Sequence, residues 1–107
     1  MISRDIEICQ AISSLAYAAA PTQVRELVVA IVLDDDAQSA TLEYDYVDEE
    51  GKSSYFLGGA KLNDSVFNLF TELRQFFIEQ GQPAWQGCKI FADVTNSKFK
   101  LDVFYSE

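Results

Sequence analysis

The pattern of hydrophobic and polar positions predicts an amphipathic helix at the start of the chain. Its apolar residues recur at three- and four-residue steps, which is the spacing of one helical face. These residues are Ile6, Cys9, Ile12 and Ala16. Ser3 is the expected N-cap, and Pro21 disfavours helical geometry in the residue before it. We therefore predict a first helix over residues 3–19.

Three strands are predicted after this helix. Residues 24–33 are rich in β-branched side chains and apolar on both faces, which is typical of a strand that is central or covered by helices. Residues 40–46 alternate between apolar and polar side chains, as expected of a strand with one wet face. The turn at residues 48–51 then predicts a hairpin with a third strand over residues 52–57.

A second helix is predicted in the C-terminal half. Asn63, Asp64 or Ser65 is the expected N-cap, and Gly81 is the expected C-terminal stop. Between them, large apolar residues form a broad stripe with charged residues outside it. Trp85 follows the helix and is expected to cap the core rather than to stack on a ligand.

Two last strands are predicted over residues 88–94 and 98–105, around a turn at residues 95–97. The resulting order is α-β-β-β-α-β-β. In a chain of 107 residues it predicts one α+β domain over residues 1–107, with a mostly antiparallel sheet and two helices packed on it.

The net charge of −9 is concentrated in one segment. Eight of the 17 carboxylates lie between residues 34 and 50, where there is no Lys or Arg. They are Asp34, Asp35, Asp36, Glu43, Asp45, Asp48, Glu49 and Glu50. Direct binding to nucleic acid needs clustered cations, so a focused negative charge argues against it and favours a basic partner.

This acidic segment has two interpretations. It is either a solvated edge that only keeps the protein soluble, or a recognition surface. The second is favoured because the acids come without interspersed cations, and because two loops and the strand face between them could converge. Tyr46 and Tyr55 lie in or beside the same hairpin and are candidate anchors, since interfaces favour Tyr. Tyr44 is expected to pack in the core.

Little in the sequence points to catalysis, a cofactor or a metal. There is no His, the commonest general base and metal ligand. Residues 58–61 lack the spacing of a phosphate loop, and residues 34–36 lack that of a calcium loop. Cys9 and Cys88 lie at apolar positions and are interpreted as inert buried thiols rather than a disulfide. We therefore expect no catalytic residue, no cofactor and no metal site.

The expected location is the cytoplasm, without a membrane partner. Two thiols that are not bridged fit a reducing compartment. The N-terminus lacks the basic and apolar pattern of a signal peptide. The longest apolar run, residues 27–33, is too short to cross a bilayer.

Residues 72–105 carry a resemblance to a known family. The matching positions are Glu72-Leu73-Arg74, Phe77, Gly81-Gln82, Trp85 and Lys98-Phe99-Lys100-Leu101-Asp102-Val103-Phe104-Tyr105. This segment resembles the YezG-like family, which are small bacterial immunity proteins, or antitoxins, paired with secreted or contact-delivered toxins. The chain departs from the family at Asn96-Ser97, where a Gly-containing turn is common, and at residues 21–24, which lack a Trp-containing segment.

The resemblance implies a non-enzymatic protein that neutralises one cognate toxin by stoichiometric binding. Because nucleases hold phosphates with Lys and Arg, the acidic segment favours a basic nuclease domain as that toxin. The alternative is an adaptor or structural module whose acidic loops are only solubilising. A small enzyme is a third interpretation, and it would have to work without histidine.

Overall fold

The computed structural model describes residues 4–34, 40–96 and 98–105, and it confirms the predicted α+β architecture. The elements follow in the predicted order: α1 (Arg4–Ala19), β1 (Val24–Leu33), β2 (Ala40–Asp48), β3 (Ser53–Phe56), α2 (Gly59–Glu79), β4 (Gly87–Asp93) and β5 (Lys98–Phe104). The expected N-cap Ser3 and the turn residue Ser97 lie outside the described residues.

The five strands form one antiparallel sheet in the order β3-β2-β1-β4-β5. β1 lies at its centre, as its apolar side chains predict. The hairpin of β2 and β3 is confirmed, with Tyr46 opposite Ser54. β3 and β5 are therefore the two edges of the sheet that the described residues form.

Both helices pack on one face of this sheet and share a single core with it. Leu27, Val29 and Ile31 of β1 are at most 1% exposed, and each contributes about 1.5–3 kcal/mol by its burial. Trp85 is fully buried, as predicted, with its ring edge-on to Phe70 at a centroid distance of 6.2 Å. The Arg74 Nε–H donates a hydrogen bond to the Trp85 carbonyl at 2.9 Å, which ties the segment after α2 to the helix.

The second apolar face of β1 is not covered by either described helix. Val28 is half-buried there, and Val32 is 46% exposed. One side of the sheet is therefore open, and its residues form the surface considered below.

The start of α2 differs from the prediction. The helix begins at Gly59, and no side chain caps it. The expected caps lie inside the helix, where the Asn63 Oδ1 accepts a hydrogen bond from the Tyr44 hydroxyl at 2.8 Å. A Cβ atom on Gly58 would lie 2.7 Å from the Tyr44 ring, so only glycine fits this approach. Packing against β2, rather than local capping, determines where the helix begins.

Burial of Tyr44 predicts a loss of stability at high pH. Its side chain is 2% exposed, and burial raises the pKa of the hydroxyl from 10.0 to about 12. The unfolded state therefore loses this proton first as the pH rises, so the free energy of unfolding falls between about pH 10 and about pH 12. Urea denaturation over this pH range measures the decline, and Tyr44→Phe should remove the part that Tyr44 causes.

A second contribution to this decline should survive in the variant. Burial also raises the pKa of the Cys9 thiol to about 11 and raises that of Cys88, so the cysteines weaken the fold above about pH 9. A Tyr44→Phe variant with the same pH profile as the wild type would contradict the role given to the buried hydroxyl.

Candidate functional site

The face of the sheet opposite the helices, named here the open face, carries the acidic side chains of β2. It is formed by alternate residues of the five strands, which include Tyr55, Glu43, Asp45, Glu26, Val28, Ala30, Val32, Lys89, Phe91, Lys98, Lys100 and Asp102. Glu43 and Asp45 are exposed, and neither forms an ion pair with another described residue. The prediction of a wet, acidic strand face is confirmed.

Tyr55 lies beside these acids, where the hairpin prediction placed it. It sits opposite Asp45 on the edge strand β3, and it is 69% exposed. On the other side of Asp45 lies Val28 of β1. An aromatic ring next to an exposed carboxylate provides both an apolar contact and a charge for a partner.

Tyr46, the other candidate anchor, does not lie with the acids on the open face, as the alternation of residues 40–46 indicates, and its use as an anchor stays a prediction. Successive side chains of a strand point to opposite faces, so Tyr46 lies on the helix side with Tyr44. It is half-buried and packs on Phe56 with a ring-centroid distance of 6.0 Å. Tyr44 is buried, as predicted, and stacks on the same Phe56 ring at 5.2 Å.

The acids of the turn between β2 and β3 have local partners. An oxygen of the Asp48 carboxylate accepts hydrogen bonds from the backbone N–H groups of Glu50 and Lys52, both at 2.9 Å. The Glu50 carboxylate lies 3.7 Å from the Lys52 ammonium. Asp48 therefore stabilises the turn, and Glu49 is the exposed turn acid that forms no ion pair with another described residue.

Asp34 and the turn between β2 and β3 lie at opposite ends of β2. Leu33, just before Asp34, pairs with Ala40 at one end of β2, whereas Val24 pairs with Asp48 at the other. The nine residues of β2 span about 30 Å at roughly 3.3 Å per residue. Asp34 is exposed at the far end from the turn, and Asp35 and Asp36 lie outside the described residues.

One acid of this surface was missed from the sequence. Glu26 of β1 is exposed on the open face, beside Val47 and diagonal to Asp45. Its strand is largely apolar on both faces, so the sequence carried no signal that this face is open. We define the acidic surface as Glu26, Glu43 and Asp45.

The open face also has a shallow apolar depression next to the acidic surface. It encloses about 690 Å³ and lies between the acids of β1 and β2 and the cations of β5. Its lining includes Val28, Asp45, Tyr55, Phe91 and Lys100. The open face is thus divided into an acidic side on β1 and β2 and a side on β4 and β5 that carries three lysines.

The chemistry available to the described residues is limited. Among them, no three His, Cys, Asp or Glu side chains group closely enough to hold a metal ion. Cys9 and Cys88 are buried and unpaired, and burial raises the pKa of both thiols. A thiol that stays protonated is a poor nucleophile. The arrangement on the open face is suited to binding through charge and apolar contact.

Comparisons with known proteins leave the chain without an assigned relative. No protein-family model matches it, and no curated protein matches it. In the part of the chain that the structure describes, neither helix is long and apolar enough to span a membrane.

Proposed function

We propose that this protein is an immunity protein that binds and neutralises one cognate bacterial toxin, most simply a basic nuclease domain. The observation that carries the proposal is the exposed pair Glu43 and Asp45 on β2, which has no cationic partner among the described residues and lies beside the exposed ring of Tyr55. Charges that no described residue neutralises are available to a partner.

The rigidity of the acidic surface supports recognition over solubility alone. Glu26, Glu43 and Asp45 stand on two hydrogen-bonded strands in the interior of the sheet, so their positions relative to one another are fixed before binding. A preorganised set of groups loses less conformational entropy on association than groups on loops. A nuclease must display Lys and Arg to hold phosphates, and these carboxylates would pair with the same cations.

The resemblance of residues 72–105 to the YezG-like family supports the same function. It implies stoichiometric binding without catalysis, in the cytoplasm of the cell that must be protected. In this account the acidic surface steers the encounter, and Tyr55 and the apolar depression contribute contact area once the two proteins meet.

Cell protection tests this function directly. The chain is co-expressed with the toxin encoded beside its gene, and growth is compared with that of cells expressing the toxin alone. We expect the wild type to restore growth and the double variant Glu43→Lys/Asp45→Lys to fail, because the reversed charges repel the basic toxin.

A matched control has two reversed charges on α2, Asp64→Lys and Glu79→Lys, where both residues are exposed. This control should protect as the wild type does. If the wild type gives no protection, the adaptor alternative is favoured. If both double variants protect equally, the acidic surface is not the binding site.

A further inference from the structure

The outer edge of β5 is a complete strand edge in the described part of the sheet. β5 is seven residues long, whereas the other edge strand, β3, has four. Leu33 donates its backbone N–H to the Gln86 carbonyl at 2.9 Å, and antiparallel hydrogen-bonded pairs recur every second residue. The backbone groups of Lys89 and Phe91 therefore face β5.

The same alternation determines which backbone N–H and C=O groups of β5 form hydrogen bonds with β4. Lys100 and Asp102 are the residues opposite Phe91 and Lys89, so their backbone groups face β4. The N–H and C=O groups of Phe99, Leu101 and Val103 then point away from the sheet. Three consecutive hydrogen-bonding positions are presented at this edge.

We propose that this edge pairs with the β5 edge of a second copy of the chain, antiparallel and centred on Leu101. The side-chain sequence is self-complementary about that residue: Lys100 faces Asp102 of the second copy, and Asp102 faces its Lys100. Opposite charges directly across an antiparallel pair stabilise it. The three outward positions form Phe99–Val103, Leu101–Leu101 and Val103–Phe99 pairs, each of which exchanges two backbone hydrogen bonds.

Apolar surface on the helix side of β5 fits the same arrangement. Phe99 is 42% exposed, and Ile6 of α1 is 47% exposed beside it. A groove of about 260 Å³ between α1 and β5 is lined by both residues and by Leu101. In the paired sheet, Val103 and Leu101 of the second copy lie opposite Phe99 and Leu101 and cover this groove. An unpaired edge with these side chains would otherwise promote unspecific association.

Charge also favours this edge over any other part of the sheet. The acidic surface lies towards the opposite edge of the sheet from β5. In the paired sheet the two copies of β2 are separated by seven strand spacings, or about 34 Å. The Debye length at physiological salt is about 8 Å, so repulsion between the two acidic surfaces is screened. Both surfaces stay accessible, and the pairing does not depend on the proposed function.

Sedimentation equilibrium with complementary charge variants tests the pairing. The wild type should be a dimer, and Lys100→Asp and Asp102→Lys should each raise its dissociation constant at least about tenfold, because each places like charges opposite one another at two positions. An equimolar mixture of the two variants should dimerise again, since their charges are complementary. Within one chain the Lys100 ammonium lies 3.9 Å from the Asp102 carboxylate, and each variant breaks this ion pair. Both side chains are at least half exposed, and an exposed pair contributes at most about 1 kcal/mol, so the fold of each variant should persist.

Lys61→Asp is the control, because Lys61 is exposed on α2 and the charge change is the same. It should dimerise as the wild type does. The proposal would be overturned by a wild type that stays monomeric at about 100 μM, because this concentration is well above the dissociation constant of a typical specific dimer. A mixture of variants that fails to restore the dimer would also overturn it.

Amide hydrogen exchange locates the interface. In the wild-type dimer the amides of Phe99, Leu101 and Val103 should exchange slowly, and in Lys100→Asp they should exchange fast. The amides of Lys100 and Asp102, which bond to β4, should be protected in both. A dimer in which the three outer amides exchange as fast as in the variant would place the interface elsewhere and refute the pairing.

Discussion

Replacing Trp85 with Ala is expected to lower the free energy of unfolding by about 3–5 kcal/mol. The side chain is fully buried, and its ring packs edge-on against Phe70 at 6.2 Å, so truncation removes a large apolar group and leaves a cavity between α2 and the sheet. A domain of this size is stable by only about 5–15 kcal/mol in total. The variant should therefore unfold at a much lower urea concentration than the wild type, as measured by circular dichroism.

Trp85→Phe removes the indole N–H but keeps an aromatic ring, so it helps to distinguish the contribution of ring packing to the free energy of unfolding from that of the polar N–H. The Trp85 Nε1–H is buried and has no hydrogen-bond acceptor among the described residues. An unsatisfied buried donor costs about 1–3 kcal/mol, so removing it offsets part of the lost ring volume. We expect Trp85→Phe to destabilise far less than Trp85→Ala. Equal losses in the two variants would mean that the Phe ring recovers none of the packing of the indole.

The fold was predictable because local pattern and tertiary packing agree along most of the chain. The alternation in residues 40–46 identified a strand with one wet face, and the two apolar faces of residues 24–33 identified the central strand. The start of α2 could not be predicted in this way. It depends on the contact of Gly58 and Asn63 with Tyr44, residues that are distant in sequence and whose proximity only the folded chain shows.

The candidate site was predictable only in part. Glu43, Asp45 and Tyr55 follow from the alternation of β2 and from the pairing of the hairpin. Tyr46 has the same parity as Tyr44, so the alternation itself argues against its use as an anchor on the acidic side. The sequence left open whether the two acidic loops meet, and a nine-residue strand places Asp34 about 30 Å from the turn after β2.

Glu26 could not be assigned from the sequence for a different reason. Both faces of β1 are largely apolar, so its pattern does not show which face the helices cover. Only the packing of α1 and α2 makes one face the core and leaves the other to solvent. The acidic surface is therefore wider than the acidic segment of the sequence.

Charge reversal on β2 is expected to slow association with the toxin by about tenfold or more at low salt. Glu43 and Asp45 are exposed and form no ion pair with other described residues, so Glu43→Lys/Asp45→Lys changes the charge of the surface by four units without breaking an ion pair within the described structure. Their side chains face solvent rather than the core, so the variant should keep the wild-type free energy of unfolding. The Asp64→Lys/Glu79→Lys variant has the same net charge and serves as the control.

Association rates measured against ionic strength test whether the acidic surface of β1 and β2 recognises a basic toxin. Stopped-flow mixing with the toxin domain from about 0.02 to about 0.5 M salt covers the range over which the Debye length falls from roughly 20 Å to a few ångströms. We expect a rate that falls steeply with salt for the wild type and the α2 control, and a slow, nearly salt-independent rate for Glu43→Lys/Asp45→Lys. Equal rates with the same salt dependence in all three proteins would contradict it.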